Sequence, residues 1–463
     1  MRKAGRGLVA TSATVGTAAL LASALVGATS PASAASPARP TAAALGFHVF
    51  AESSVSLYGT GIEGPVAMGG DLTLEGPFTI ASRTPGTFRV DGDAQPSALV
   101  VGDEIDFEDS APEGVLQVLN SGYAKVEDLR GADVRNDDDD MLPTVPTRIV
   151  RAGATYESSP RVELTTQQPI ASVGPVDVID FGAAFADFRA SARALARCAG
   201  NVVLRDAQGR ALPADIPPGA TAYLTLTPGT TNVLRLSAGQ LDNIATLVYR
   251  NAPSATAPLL IDVDTADVDD VFDWTVPEQS GVSSAQAPFI LWNFATAEII
   301  TQRGRSHTLV GTLFAPDASL SDDSRAANEG QLILRELFMG DADSGGGDGG
   351  EVRYFPFDAE LNCGSLTPSP SASASGSTAP SPSASPSGSA SPDPSASPSA
   401  GPEPRPSVSP SRSHGPRPSV SPSRSHEPRP SVSPSRSHGP RPSVSPSASP
   451  SRSPYSGPRP PRP

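Results

Sequence analysis

From about Thr41 to Cys363 the apolar residues come in short clusters, never in long runs. Val66-Ala67-Met68, Leu72-Thr73-Leu74, Leu99-Val100-Val101, Tyr223-Leu224-Thr225-Leu226 and Leu309-Val310-Gly311-Thr312-Leu313-Phe314 are rich in β-formers and bounded by Gly, Pro, Asn or Asp. Short strands with frequent turns predict a mainly β domain. Gly311-Thr312-Leu313-Phe314-Ala315 returns in form as Gly330-Gln331-Leu332-Ile333-Leu334, nineteen residues on. Coils of that size stack in a β-helix, where each rung leaves its apolar face open until a neighbour covers it. The expected fold is therefore a β-helix or solenoid-like domain, although a β-sandwich also fits the strand lengths. One segment departs from the strand pattern. Asp180 is placed to cap a run in which Phe181, Phe185, Phe188, Ala192, Leu195 and Ala196 recur at helical spacing, with Gly200-Asn201 to end it. This predicts one α-helix packed along the side or end of the strands.

The two flanks are of another kind. Arg2, Lys3 and Arg6 precede an uncharged apolar run from Leu8 to about Ala28, and Ala32-Ser33-Ala34 has the small-residue form of a cleavage site. Residues 1–34 are expected to be a signal peptide, which makes the chain secreted, extracellular or associated with the cell wall. No later stretch is long and apolar enough for a transmembrane helix. Residues 364–463 are almost only Pro, Ser, Ala, Arg and Gly, and Pro404-Arg405-Pro406-Ser407-Val408 recurs with a step of twelve at Pro416, Pro428 and Pro440. Such a composition has nothing to bury and favours extended backbone, so a disordered Pro/Ser/Arg-rich stalk is expected.

Charge separates these parts. The chain carries a net charge of −15. The leader contributes three basic residues, and the stalk ten basic and three acidic ones, so residues 35–363 hold an excess of about 25 acids. That acidity argues against nucleic acid, which is bound by neutralising phosphates. The arginines of the stalk suit it to anionic wall polymers.

The residues offer little catalytic chemistry. Gly59-x-Gly61-x-x-Gly64 matches the dinucleotide fingerprint in form, but Pro65 and a strand-like run follow where a helix should begin, so turn glycines are expected. His48 and His307 are the only histidines before the stalk, and there is no Gly-x-Ser-x-Gly elbow. Paired carboxylates leave a secreted carbohydrate-active enzyme as the alternative, although the chain is poor in the aromatics such clefts use. Acidic clusters at Asn136 to Asp140, at Asp262, Asp264, Asp267, Asp269 and Asp270, and at Asp341, Asp343, Asp348 and Glu351 are candidates for Ca2+, a cation that takes several oxygen ligands. The middle cluster is the preferred metal site because alternating aspartates on a strand project to one face. Cys198 and Cys363 are the only cysteines; in an exported chain they are expected to form a disulfide closing a loop of about 165 residues.

The stretch from Phe47-His48-Val49-Phe50 through Gly61-Ile62-Glu63-Gly64-Pro65-Val66-Ala67-Met68-Gly69-Gly70-Asp71 resembles the opening of the bacterial choice-of-anchor A surface domains. The likeness continues through Leu99-Val100-Val101-Gly102, the helix from Asp180, Leu291-Trp292-Asn293-Phe294, Gly311-Thr312-Leu313-Phe314-Ala315-Pro316 and Phe355-Pro356-Phe357. The resemblance implies an extracellular, adhesin-like domain of presumed β-helical fold across residues 41–363, with no assigned enzymatic activity. The function expected is non-enzymatic adhesion or scaffolding at the cell surface. The partner would be extracellular matrix, a surface polymer or another cell-surface ligand; a purely structural wall or coat component is a further alternative.

Overall fold

The computed structural model describes residues 39–138, 145–340 and 350–363, all within the first of the chain's two units, Met1–Ser377. The expected leader and stalk, as well as Asp139, Asp140, Asp341, Asp343 and Asp348, lie outside the described residues.

The strands stack into a β-helix with three flat faces. Face A runs, neighbour to neighbour and parallel throughout, through Asn232–Ser237, Leu259–Asp264, Ile290–Asn293, the first half of Thr312–Asp322, the first half of Leu332–Met339, Val49–Ala51, Val66–Met68, Ser97–Val101 and Tyr123–Val126. Face B comprises Val271–Trp274, Ile299–Gln302, the second halves of the two longest strands, Val55–Leu57 and Leu72–Leu74. Face C includes Ala220–Leu224, Ile244–Tyr249 and Glu278–Ser280 towards one end and Pro77–Ile80, Val115–Val118 and Arg161–Leu164 towards the other. The spatial order is not the chain order. The chain enters mid-stack at Val49–Ala51, winds outward to Tyr123–Val126, resumes at the opposite end with Asn232–Ser237, and winds back until Leu332–Leu334 pairs with Val49–Ala51.

Side-chain period decides which face meets what. On face A the inner column Ile261, Trp292, Leu313, Leu332, Val49, Val66, Leu99 and Ala124 fills the coil, each in register with the next. The outer column Phe314, Ile333, Phe50, Ala67 and Val100 is also buried, in a second cluster with Phe185, Phe188, Ala192 and Leu195. A strand covered on both sides reads as a continuous apolar run, as in Leu99-Val100-Val101 and Leu332-Ile333-Leu334. Face B has one solvated side and alternates, as in Val55-Ser56-Leu57 and Leu72-Thr73-Leu74.

The cover on face A is the expected helix. Among the described residues there are three α-helices, α1 (Ile170–Val173), α2 (Phe181–Leu195) and α3 (Ala238–Asp242). Only α2 carries the helical spacing seen in the sequence. The Asp180 side chain accepts from Ala183 N at 2.8 Å, as its capping position predicts. α2 ends at Leu195, short of Gly200-Asn201, because the chain turns there to bury Cys198, which is bonded to Cys363 with the Cα atoms 5.3 Å apart.

The repeated glycines make rung corners. Gly330, at φ +157°, sits so close to Gly311 that a Cβ would lie 2.2 Å from its carbonyl oxygen. Gly61, at φ +150°, has the same role beside Thr79, so the Gly-x-Gly-x-x-Gly pattern belongs to turns. No helix among the described residues is long and apolar enough to cross a membrane.

Candidate adhesive face

Face B is an uncovered broad surface of the coil. Register aligns Asp273, Thr301, Ser321, Phe338, Ser56 and Thr73 in one outward rank that crosses the stack. Adjacent strands lie about 4.8 Å apart, so the rank is a regular ladder of side chains. Beside it runs a second rank, Val271, Ile299, Ser319 and Glu336. Six large hydrophobic side chains are exposed among the described residues, and three of them, Val271, Ile299 and Phe338, stand on this face. Their inward neighbours Phe272, Ile300, Leu320, Leu337, Val55 and Leu72 are buried in the core of the coil.

The hydroxyls and charges of the face are oriented locally. Ser319 Oγ donates to Glu336 Oε2 at 2.8 Å and accepts from Arg335 Nη2 at 2.6 Å. Ser321 Oγ donates to Asp323 Oδ1 at 2.8 Å, and Asp273 is paired with Arg303. At the Tyr123–Val126 end, Asp71, Asp103, Asp106 and Asp128 crowd Glu104; burial and these like charges raise its pKa above the ordinary glutamate range.

The five aspartates of the preferred metal cluster run from a strand of face A into the turn that follows it. Only Asp262 and Asp264 lie on the strand, on the helix side of face A; Asp267, Asp269 and Asp270 follow in a 3-10 turn and its exit. Asp262 is buried, accepts from Asn293 Nδ2 at 2.7 Å and pairs with Arg235 at 3.3 Å. Asp267 accepts from Ser237 Oγ and the Gly239 amide, while Asp270 accepts from Thr265 Oγ1. No group of three or more His, Cys, Asp or Glu side chains among the described residues is arranged to hold a metal ion.

Two shallow cavities lie near the chain's last described residues. One, of about 510 Å³, is lined by Thr230, Thr231, Pro258, Glu360 and Asn362; the other, of about 210 Å³, by Arg39, Thr41, Gln331 and Asp358. Each has a single carboxylate in its wall, where glycoside hydrolysis ordinarily needs two across the scissile bond.

Residues 40–346 match the family model described as "Putative Ice-binding-like adhesive domain". The chain belongs to this family. The adhesive domain therefore spans nearly all of the described coil, and the family supports a surface adhesion role in general. A comparison with curated proteins finds no match. Among solved structures, a glycosylated ice-binding protein from an Arctic yeast is 12% identical, with a TM-score of 0.20 over 71% of this chain and 95% of that one, a superposition too loose to bear on the fold.

Face B does not stand out as a site in the sequence. Its signal was present in the alternation of Val55-Ser56-Leu57 and Leu72-Thr73-Leu74. Which outward residues stand side by side depends on register, which those triplets do not carry.

Proposed function

We propose that this adhesive domain binds through face B to a hydroxyl-rich surface polymer outside the cell, with residues 1–34 directing export and the cationic tail spacing the domain from the wall. The observation that carries this reading is the pair of in-register ranks, which set hydroxyls, carboxylates and three exposed apolar side chains on one rigid plane. A fixed array loses little conformational entropy on contact, and many weak contacts made in parallel give avidity. Glu336 and Asp273 favour a partner that donates hydrogen bonds, and Phe338 offers an apolar platform beside them. The motif order resembling choice-of-anchor A domains supports the same surface role.

The test is sedimentation of the purified protein with insoluble wall and matrix polysaccharides, with ice as a separate arm. Thr301→Arg together with Ser321→Arg is expected to weaken polysaccharide binding at least tenfold while the melting temperature is kept. Undiminished binding by the folded variant would remove face B from the interaction, and retention on ice alone would replace the polymer with a crystalline surface.

A further inference from the structure

The outer column of face A is apolar beneath α2 but ends in a charge. After Val100 the next residue in register is Lys125, which is 2% exposed and is the only lysine in the sequence after Lys3. Its Nζ lies 2.6 Å from Asp93 Oδ2, 2.5 Å from the Ser172 carbonyl oxygen and 3.0 Å from Ser172 Oγ. Asp93 is itself 7% exposed. Ser172 Oγ accepts from Gln168 Nε2 at 3.1 Å and donates to Asp93 Oδ1 at 2.6 Å, so its hydrogen is directed at that oxygen. Gln168 is fixed in turn by the amide and carbonyl of Ala124, Lys125's neighbour on the strand. Oδ2, although against the amine, accepts no hydrogen bond of ordinary geometry. The nitrogen therefore abuts the carboxyl group without the alignment of a hydrogen-bonded ion pair.

A desolvated ion pair is costly unless every lone pair and proton is satisfied. Condensation removes both charges. We propose that Lys125 and Asp93 become joined by an amide bond. Once a first proton has left it for Oδ1 by way of Ser172 Oγ, Nζ has a lone pair and attacks Cγ of Asp93; the Nζ–Cγ bond forms and the Cγ–Oδ1 bond breaks. Two of the three ammonium protons pass by way of Ser172 Oγ to Oδ1, which leaves as water. Nζ keeps the third, and Oδ2 remains as the amide carbonyl oxygen, which its place beside Nζ already suits. The step needs no oxidant, metal or cofactor, and its proximity is supplied by folding. The link ties the loop holding Asp93 to the last rung of face A, at the end of the coil opposite the strand Asn232–Ser237 and the Cys198–Cys363 bridge.

The experiment is proteolytic digestion and tandem mass spectrometry of the folded full-length chain. A peptide containing Lys125 is expected joined to one containing Asp93, with a combined mass reduced by one water, and the Lys125 amine should resist acylation after denaturation. The joined pair should vanish in Lys125→Arg and form more slowly in Ser172→Ala. Recovery of Lys125 entirely with a free amine from folded wild-type protein overturns the proposal, and this result does not depend on whether either variant folds.

Discussion

His48 and Asp322 are ionisable residues placed where an ion is poorly solvated. His48 is fully buried, edge-on to Tyr354 at 5.0 Å, and burial pushes its pKa down to about 3 against the carbonyls of Gly330 and Arg353. Asp322 is buried inside the coil, accepting from Ser324 N and Oγ and from Asn328 Nδ2, and burial raises its pKa to about 6. Their effects on stability oppose one another. Between about pH 3 and 6.5 the unfolded chain binds a proton at His48 that the folded chain does not, so that contribution grows as pH rises. Between about pH 3.8 and 6 the folded chain keeps a proton on Asp322 that the unfolded chain has lost, so that contribution falls as pH rises. Asp322→Asn removes the second effect only. Relative to wild type, the variant is expected to gain about 1.4 kcal/mol of unfolding free energy per pH unit across that window. Urea titrations at several pH values would check it, and parallel stability curves for the two proteins would refute the assignment.

At the scale of elements, α2 makes face A two-sided. Phe188 stands 5.7 Å from Phe50, 5.2 Å from Phe185 and 5.8 Å from Phe314, ring centre to ring centre, and is fully buried. The next residue, Arg189, donates from Nη1 to Glu52 at 2.7 Å and from Nε to Asp317 at 2.5 Å, so it grips two rungs; the bond to Glu52 raises its pKa further. Phe188→Ala is expected to cost about 3–5 kcal/mol, the range for deleting a buried aromatic side chain. Urea unfolding measures it. A loss under 1 kcal/mol would mean that the helix is a loose cover and that face A is stable without it.

For the whole domain, the order of rungs makes early and late parts of the chain interdependent. Val49–Ala51 pairs with Val66–Met68 on one side and with Leu332–Leu334 on the other, so neither half of the chain completes its own sheet. The segment after Arg353 then travels to the Asn232–Ser237 end, where Asn362 N donates to Thr231 Oγ1 at 2.8 Å and Cys363 is bonded to Cys198. Replacing both cysteines by serine should lower stability by about 4–5 kcal/mol, as the chain-entropy model gives for so long a loop. An unchanged unfolding midpoint under non-reducing conditions would show that Leu361 and its neighbours secure the chain end without the bridge.

Much of this was legible in local sequence. Strand length, turn glycines and the nineteen-residue echo pointed to stacked β coils, with a β-sandwich still fitting the strand lengths, because rung size is written in the spacing of apolar clusters. The α2 face and its Asp180 cap were equally local, and two cysteines allowed only one intramolecular pairing. Tertiary structure decided the rest. A chain that begins mid-stack, extends one end and returns from the other has no periodic signature, so neither the Val49–Leu332 seam nor the ranks of face B could be read from the sequence. The aspartates from Asp262 to Asp270 are neighbours in the chain, and the partner that each one takes was decided by backbone direction. Asp93 and Lys125, more than thirty residues apart, show the converse: only the packing of the Asp93 loop on the last rung brings them within bonding reach.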